Sequence, residues 1–275
     1  MAQSAELEAK ANRLTVEHLL QLADVSEPQF SPEGDWIAYT VSKDDAEADE
    51  VRSRIWMVPA KGGEAVAMTA ADQSSSHPRW SPDGKYLAFL SGRDEGPTQV
   101  YRLSRHGGEA QAITETPQSV NSFAWSPDST SLLLELQDAS AAELAAADDD
   151  SSNDDKAAPP VVIDRQQFKM DYVGYLDRRR THLYRLDFAS KKLDQLTFGD
   201  FDDSEGRWSP DGSRIAFTSN RTENADANYN SDIWVIPATV GEAPAEPLRI
   251  TSNPGADASP SWSPNGELIA HTAII

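Results

Sequence analysis

The stretch Trp80-Ser81-Pro82-Asp83-Gly84-Lys85-Tyr86-Leu87-Ala88-Phe89-Leu90 reads as a tight turn feeding a short β-rich run. Proline fixes φ near −65° at the first corner, aspartate caps the turn locally, and glycine supplies the position where φ is positive. The signature recurs at Phe30-Ser31-Pro32-Glu33-Gly34, Trp125-Ser126-Pro127-Asp128-Ser129, Trp208-Ser209-Pro210-Asp211-Gly212 and Trp262-Ser263-Pro264-Asn265-Gly266. The aromatic residue returns after 50, 45, 83 and 54 positions. Three of these intervals suit a four-stranded unit, and the fourth suits one unit plus an insertion.

Working outward, each turn is followed by a β-rich run such as Trp36–Val41, Tyr86–Leu90 or Ile215–Thr218. A variable loop leads to a second apolar alternation: Ile55–Val58, Val100–Leu103, Leu183–Leu186 and Ile233–Ile236. Most units then show a Gly-containing turn (Gly62-Gly63-Glu64, Gly107-Gly108-Glu109, Gly241-Glu242) and a last strand ending in Thr69, Thr114, Thr197 or Thr251. Four up-and-down strands cannot bury both faces of their sheet alone, so neighbouring units must stack. The predicted fold is all-β, a β-propeller of four-stranded blades.

Units starting at residues 30, 80, 125 and 208 are complete, and the one at 262 stops after its second strand. That gives about four and a half blades, an incomplete propeller whose open blade would leave an unpaired edge. The sequence is therefore expected to be a fragment of something longer. Residues 1–24 are predicted as a short N-terminal helical segment, helix-like over 5–22 with Thr15 as N-cap of its second half. Residues 25–275 form the partial propeller. Within it, residues 138–158 are an acidic low-complexity insert, with seven carboxylates against Lys156, for which disorder is expected.

Composition narrows the function classes. The net charge is −21, with 24 Lys+Arg against 45 Asp+Glu, which argues against nucleic acid as a partner. No run approaches the roughly 18–20 apolar residues of a membrane crossing. The absence of cysteine excludes disulfides, thiolate metal sites and cysteine nucleophiles. Residues 1–25 carry charges throughout and lack the apolar core of a signal peptide, so a cytoplasmic location is expected.

The up-and-down order puts first-to-second and third-to-fourth turns on one face of the propeller. The other face receives the long loops, 42–53, 91–98, 138–180 and 219–231. These contain Asp44, Asp45, Glu47, Asp49, Glu50, Asp94, Glu95, Glu223 and Asp226. Two readings stand: a negative potential that favours cationic partners such as a free peptide amine, or a solvated surface that serves solubility.

No Gly-x-Ser-x-Gly elbow, His-Glu-x-x-His motif, phosphate-binding loop or dinucleotide fingerprint occurs. His18, His77, His106, His182 and His271 are scattered and read as structural. The run Asp200, Asp202, Asp203, Glu205 resembles a hard-cation site but lacks the spacing of a calcium loop, so hydrogen-bonding carboxylates at a blade turn are expected. Trp80, Trp125, Trp208 and Trp262 repeat at one blade position and are read as inter-blade packing. Arg178-Arg179-Arg180 is the one basic cluster, read as an ion-pair partner for the acidic loops, with an anion clamp as the alternative. No catalytic, metal or cofactor residue is assigned, and no cofactor is expected.

Three segments resemble a known family. Leu14-Thr15-Val16-Glu17-His18-Leu19-Leu20 with Val25–Gly34, Gly174-Tyr175-Leu176-Asp177-Arg178-Arg179-Arg180-Thr181-His182-Leu183, and Phe201–Gly212 are similar to prolyl-oligopeptidase-type serine peptidases, in the acylaminoacyl-peptidase and dipeptidyl aminopeptidase branch. The Trp-Ser-Pro-Asp-Gly repeat itself is shared with TolB-like propellers. The resemblance covers nearly the whole chain apart from the acidic insert. It implies an N-terminal propeller that gates a C-terminal α/β-hydrolase domain holding a Ser-Asp-His triad, and short peptides as partners. The hydrolase domain is absent from these residues, so the chain alone is expected to be inactive. No match to the glutamate pair that holds the substrate amine in some dipeptidyl peptidases is found. The alternative is a TolB-like interaction propeller without catalysis.

Overall fold

The computed structural model describes residues 14–93, 96–148, 162–171, 173–241 and 243–274. A single turn of helix, α1 (Val16–Leu19), precedes the blades. Blade A holds β1 (Ala23–Phe30), β2 (Trp36–Asp45), β3 (Glu50–Pro59) and β4 (Val66–Ala67). Blade B holds β5 (Ser75–Trp80), β6 (Tyr86–Ser91), β7 (Gln99–Ser104) and β8 (Gln111–Ala112). Blade C begins with β9 (Val120–Trp125) and β10 (Ser131–Gln137). The chain then leaves the sheet through α2 (Ala141–Asp148) and the small hairpin β11 (Lys169–Met170)–β12 (Gly174–Tyr175). It returns as β13 (Thr181–Asp187) and β14 (Leu193–Gln195). Blade D holds β15 (Asp203–Trp208), β16 (Arg214–Ser219), β17 (Asp232–Pro237) and β18 (Leu248–Arg249), and blade E has β19 (Asp257–Trp262) and β20 (Ile269–Ala273). Strands pair antiparallel with their sequence neighbours within every blade, as the repeat predicts, and among the described residues the sheets do not close into a ring.

Local chemistry builds each unit. In the first turn of blade B, Ser81 Oγ donates to Asp83 Oδ1 at 2.7 Å and accepts the Tyr86 amide at 3.0 Å, which fixes the reversal. Ser126, Ser209 and Ser263 repeat both bonds in blades C, D and E. The threonines that end the units accept the third-strand amide: Thr69 from Ile55, Thr114 from Val100, Thr197 from Leu183 and Thr251 from Ile233. A buried amide beyond the reach of the short fourth strand is thereby satisfied.

Packing runs between blades. Ile55 of blade A meets Trp80, Leu87 and Phe89 of blade B in one apolar cluster. Val100 with Phe123 and Trp125 joins B to C, and Leu133 and Leu183 with Ile215 and Phe217 join C to D. Removing a ring such as Phe89, with 0% exposure, would cost about 3–5 kcal/mol. Trp80 and Trp125 are buried as read, whereas Trp208 and Trp262 are half-buried. Phe30, in the same slot of blade A, is 65% exposed, because no described blade packs in front of it.

Three expectations are corrected. The insert predicted as disordered over 138–158 forms α2 in its first part, because Ser140 and Glu143 make reciprocal cap bonds at the start of an alanine-rich run. Residues 149–158 lie outside the described residues. The segment 42–53 is a continuation of β2 and β3 paired in full register from Trp36↔Pro59 to Asp45↔Glu50, with Asp45 Oδ1 accepting two amides of the turn. The helix predicted over 5–22 is α1 alone within the described residues, with Thr15 as N-cap, and the first strand begins at Ala23; residues 1–13 lie outside them. No helix among the described residues is long and apolar enough to cross a membrane.

Candidate functional site

The face that carries the second-to-third-strand connections is also where the excursion of blade C meets blade D. A cavity of about 240 Å³ opens there, lined among others by Arg165, Arg180, Asp202, Asn220, Asp226 and Tyr229. Its walls are held by ion pairs. Arg180, with a side chain 12% exposed, binds Asp200 Oδ1 at 2.7 Å and Asp202 Oδ2 at 3.0 Å. Arg165 Nε meets Asp226 Oδ1 at 3.2 Å and its Nη1 donates to the Asp177 carbonyl at 2.8 Å. The amides of Gln166 and Gln167 donate to the same Asp226 carboxylate. Burial works to raise the Asp226 carboxyl, and these donors outweigh it, holding it below the ordinary range.

The third wall is the connection after β16. Asn220 Nδ2 donates to the Ala225 and Asn228 carbonyls, and Asn228 Nδ2 returns to Thr222 Oγ1 and the Asn224 carbonyl. A loop stapled in this way needs no regular ladder to stay shaped. Tyr229 stands at the rim with 82% exposure. Next in the chain after Asp202, Asp203 is buried completely, with Arg221 Nη2 at 2.7 Å and His182 Nδ1 at 3.4 Å.

This arrangement answers several sequence expectations. The arginine triplet takes ion-pair roles: Arg178 with Asp164, Arg179 with Asp177 and Glu143, and Arg180 with Asp200 and Asp202. The four carboxylates of the Asp200–Glu205 run do not converge on one point: Asp200 and Asp202 share Arg180, and Asp203 takes Arg221. Glu205 turns to Thr218 and to the Ser259 amide of blade E, away from Asp200 and Asp202. Asp226, read from sequence as part of a negative surface, points inward and organises a wall, while Asp45 pairs with Arg52. Asp94 and Glu95 lie outside the described residues. His77 binds Glu27 at 2.6 Å and His271 lies 3.5 Å from Asp257. Arg165 was missed from the sequence; its signal is the acidic residue 61 positions later, which no local pattern reveals.

Chemically, the cavity is lined by the ion-paired Arg165 and Arg180, by carboxylates and amides, and by the hydroxyl residues Tyr229 and Ser231, and no histidine is among these lining residues.

The family profile of the TolB beta propeller domain matches residues 11–158. The uncharacterized peptidase YuxL of Bacillus subtilis is 32% identical over 223 residues, 81% of this chain and 34% of that protein, so the chain spans about a third of the relative's length. Among solved structures, the acylaminoacyl peptidase of Pyrococcus horikoshii aligns with a TM-score of 0.61 at 18% identity, over 85% of this chain and 33% of that one. A TolB from Agrobacterium tumefaciens aligns with a TM-score of 0.55 at 19% identity, over 92% of this chain and 70% of that one. These structures share the fold, and the profile spans more than half of the sequence: the chain belongs to the TolB β-propeller domain family.

Proposed function

We propose that this chain is the propeller portion of a serine peptidase of the acylaminoacyl or dipeptidyl aminopeptidase type, and that the face with the long connections admits short peptides to a catalytic domain. The observation that carries the reading is the match of 81% of the chain to about a third of a protein named a peptidase. The blade C–D cavity goes with it, as a site of fixed polar groups on that face. The catalytic serine would belong to the longer protein, and the 275 residues by themselves would hydrolyse nothing. A cytoplasmic location goes with this reading. The test is the mass of the endogenous product, followed with an antibody to this chain and a fluorophosphonate serine probe. A labelled species more than twice 30.0 kDa is expected. An unlabelled species near 30.0 kDa would overturn the reading and favour an interaction propeller, the reading to which the TolB structural likeness also lends weight.

A further inference from the structure

Two blades carry an arginine two residues after the end of their second strand, and they treat it differently. In blade D, Ser219 pairs with Asp203, and Arg221 follows two positions later; its guanidinium lies over Phe217 and Trp234 and binds Asp203 at 2.7 Å. In blade B, Ser91 pairs with Ser75, and Arg93 follows two positions later. Its guanidinium lies over Phe89 and Tyr101, at 6.0 and 4.3 Å from the ring centroids. Phe89 pairs with Tyr101 as Phe217 pairs with Trp234, so the two arginines sit on the same aromatic platform. Arg221 also lies over Phe201 at 4.9 Å, and the difference in charge is the partner. Where blade D has an aspartate, blade B has Ser75, and Arg93 meets no carboxylate among the described residues.

Arg93 faces an open cleft of about 640 Å³ between blades A and B, on the same face as the long connections. Arg52 also lines it but is engaged by Asp45 at 3.0 Å. Gln73 lines it too, with Glu50 and Asp72. Two acids beside one uncommitted guanidinium disfavour a multiply charged anion. They suit a singly charged carboxylate whose neighbouring amide N–H groups can donate to them.

We infer that the blade A–B cleft binds a peptide carboxylate on Arg93, in the role that Asp203 fills internally for Arg221. The identification of the ligand as a peptide rests on the peptidase reading above; the carboxylate site rests on the repeat geometry alone.

The test is calorimetric titration of the 275-residue chain at low salt with an N-acetylated tripeptide acid and with its C-terminal amide. The acid is expected to bind at least tenfold more tightly than the amide. Arg93→Gln is expected to weaken the acid at least tenfold. Ser75→Asp restores the internal partner and is expected to abolish binding without lowering the melting temperature, which keeps the test decisive should Arg93→Gln fold poorly. An amidated peptide with an internal glutamate that binds like the acid would support the site and assign it to side-chain carboxylates. Equal binding of acid and amide, or undiminished binding by both variants, would overturn the proposal. Acetate binding as tightly as the tripeptide acid would overturn the peptide as occupant. None of these results touches the serine-labelling experiment, which reads the longer protein and not this cleft.

Discussion

The indole nitrogen of Trp125 donates to the carbonyl oxygen of Arg79 at 3.1 Å, across the seam between blades B and C. Arg79 directly precedes the tryptophan of its own blade, and the relation repeats as Trp208 to Ala124 at 3.4 Å and Trp262 to Arg207 at 3.1 Å. The repeated tryptophan is therefore both a packing piece and a hydrogen-bonded clamp on the preceding blade. Trp80 has the ring without the bond: its Nε1 is buried with no partner. Trp125→Phe is expected to lose about 1–3 kcal/mol in urea unfolding, because it removes a donor and strands a carbonyl. Trp80→Phe loses no such bond and should cost about 1 kcal/mol less. Equal losses would remove the clamp from the account.

Thr197 gives a second handle. It is 2% exposed, and its Oγ1 accepts the amide of Leu183, which is itself fully buried, at 2.9 Å. Thr197→Val keeps the shape and leaves that amide without an acceptor, an expected cost of about 1–3 kcal/mol. Amide exchange at Leu183 should accelerate with it. Protection of Leu183 equal to the parent chain's would mean that the threonine is retained for packing alone.

Turn chemistry made the blades legible, because every Ser-Pro-Asp-Gly corner is satisfied within a few residues of itself. The threonines were visible as strand ends for the same reason, although their hydrogen bonds were not. What the sequence hid depends on distance or on competing composition. The outer part of the β2–β3 hairpin carries Ser42, Lys43 and Asp44, polar residues without alternation, since neither face of a hairpin projecting past its blade is buried. The start of α2 is a two-residue cap inside an acidic run whose average composition argues for disorder. Both candidate sites are non-local. Arg165 finds Asp226 across blades, and Arg93 becomes informative only when strand register aligns it with Arg221.

Acid should loosen the turns in a defined window. The Asp83 carboxyl is held down at about 2 by Lys85, with the Ser81 hydroxyl and the Lys85 amide assisting against burial. Asp211 is held at about 2 by the Ser209 hydroxyl and by the amide and hydroxyl of Ser213. An unfolded aspartate titrates near 4, so between about pH 4 and pH 2 the unfolded chain binds more protons than the folded one. The stabilisation is complete above that window and is lost as pH falls through it. Blade E already uses Asn265 to accept the serine hydroxyl, so asparagine is a fair neutral replacement. The double variant Asp83→Asn/Asp211→Asn should show a flatter fall of the melting temperature between pH 4 and 2 than the parent chain. Parallel curves would assign the acid sensitivity to other carboxylates.

Asp226 separates local order from global stability. Its carboxylate receives Arg165 and the amides of Gln166 and Gln167, and so pins the returning part of the blade C excursion onto blade D. The blades themselves share an apolar seam of Leu133, Leu183, Ile215 and Phe217 that does not include this contact. Asp226→Ala should therefore release the segment around residues 164–168 while leaving the seam intact. Limited trypsin digestion is expected to cut after Arg165 or Lys169 at least tenfold faster than in the parent chain. The thermal midpoint should move by only about a degree or two, because the lost contacts are part-buried bonds outside the apolar seam. A large fall in the midpoint would show that the excursion contributes to the propeller's stability and is not simply laid over it. Unchanged cleavage would show that Arg178 and Arg179, through Asp164, Asp177 and Glu143, suffice to hold the cavity wall.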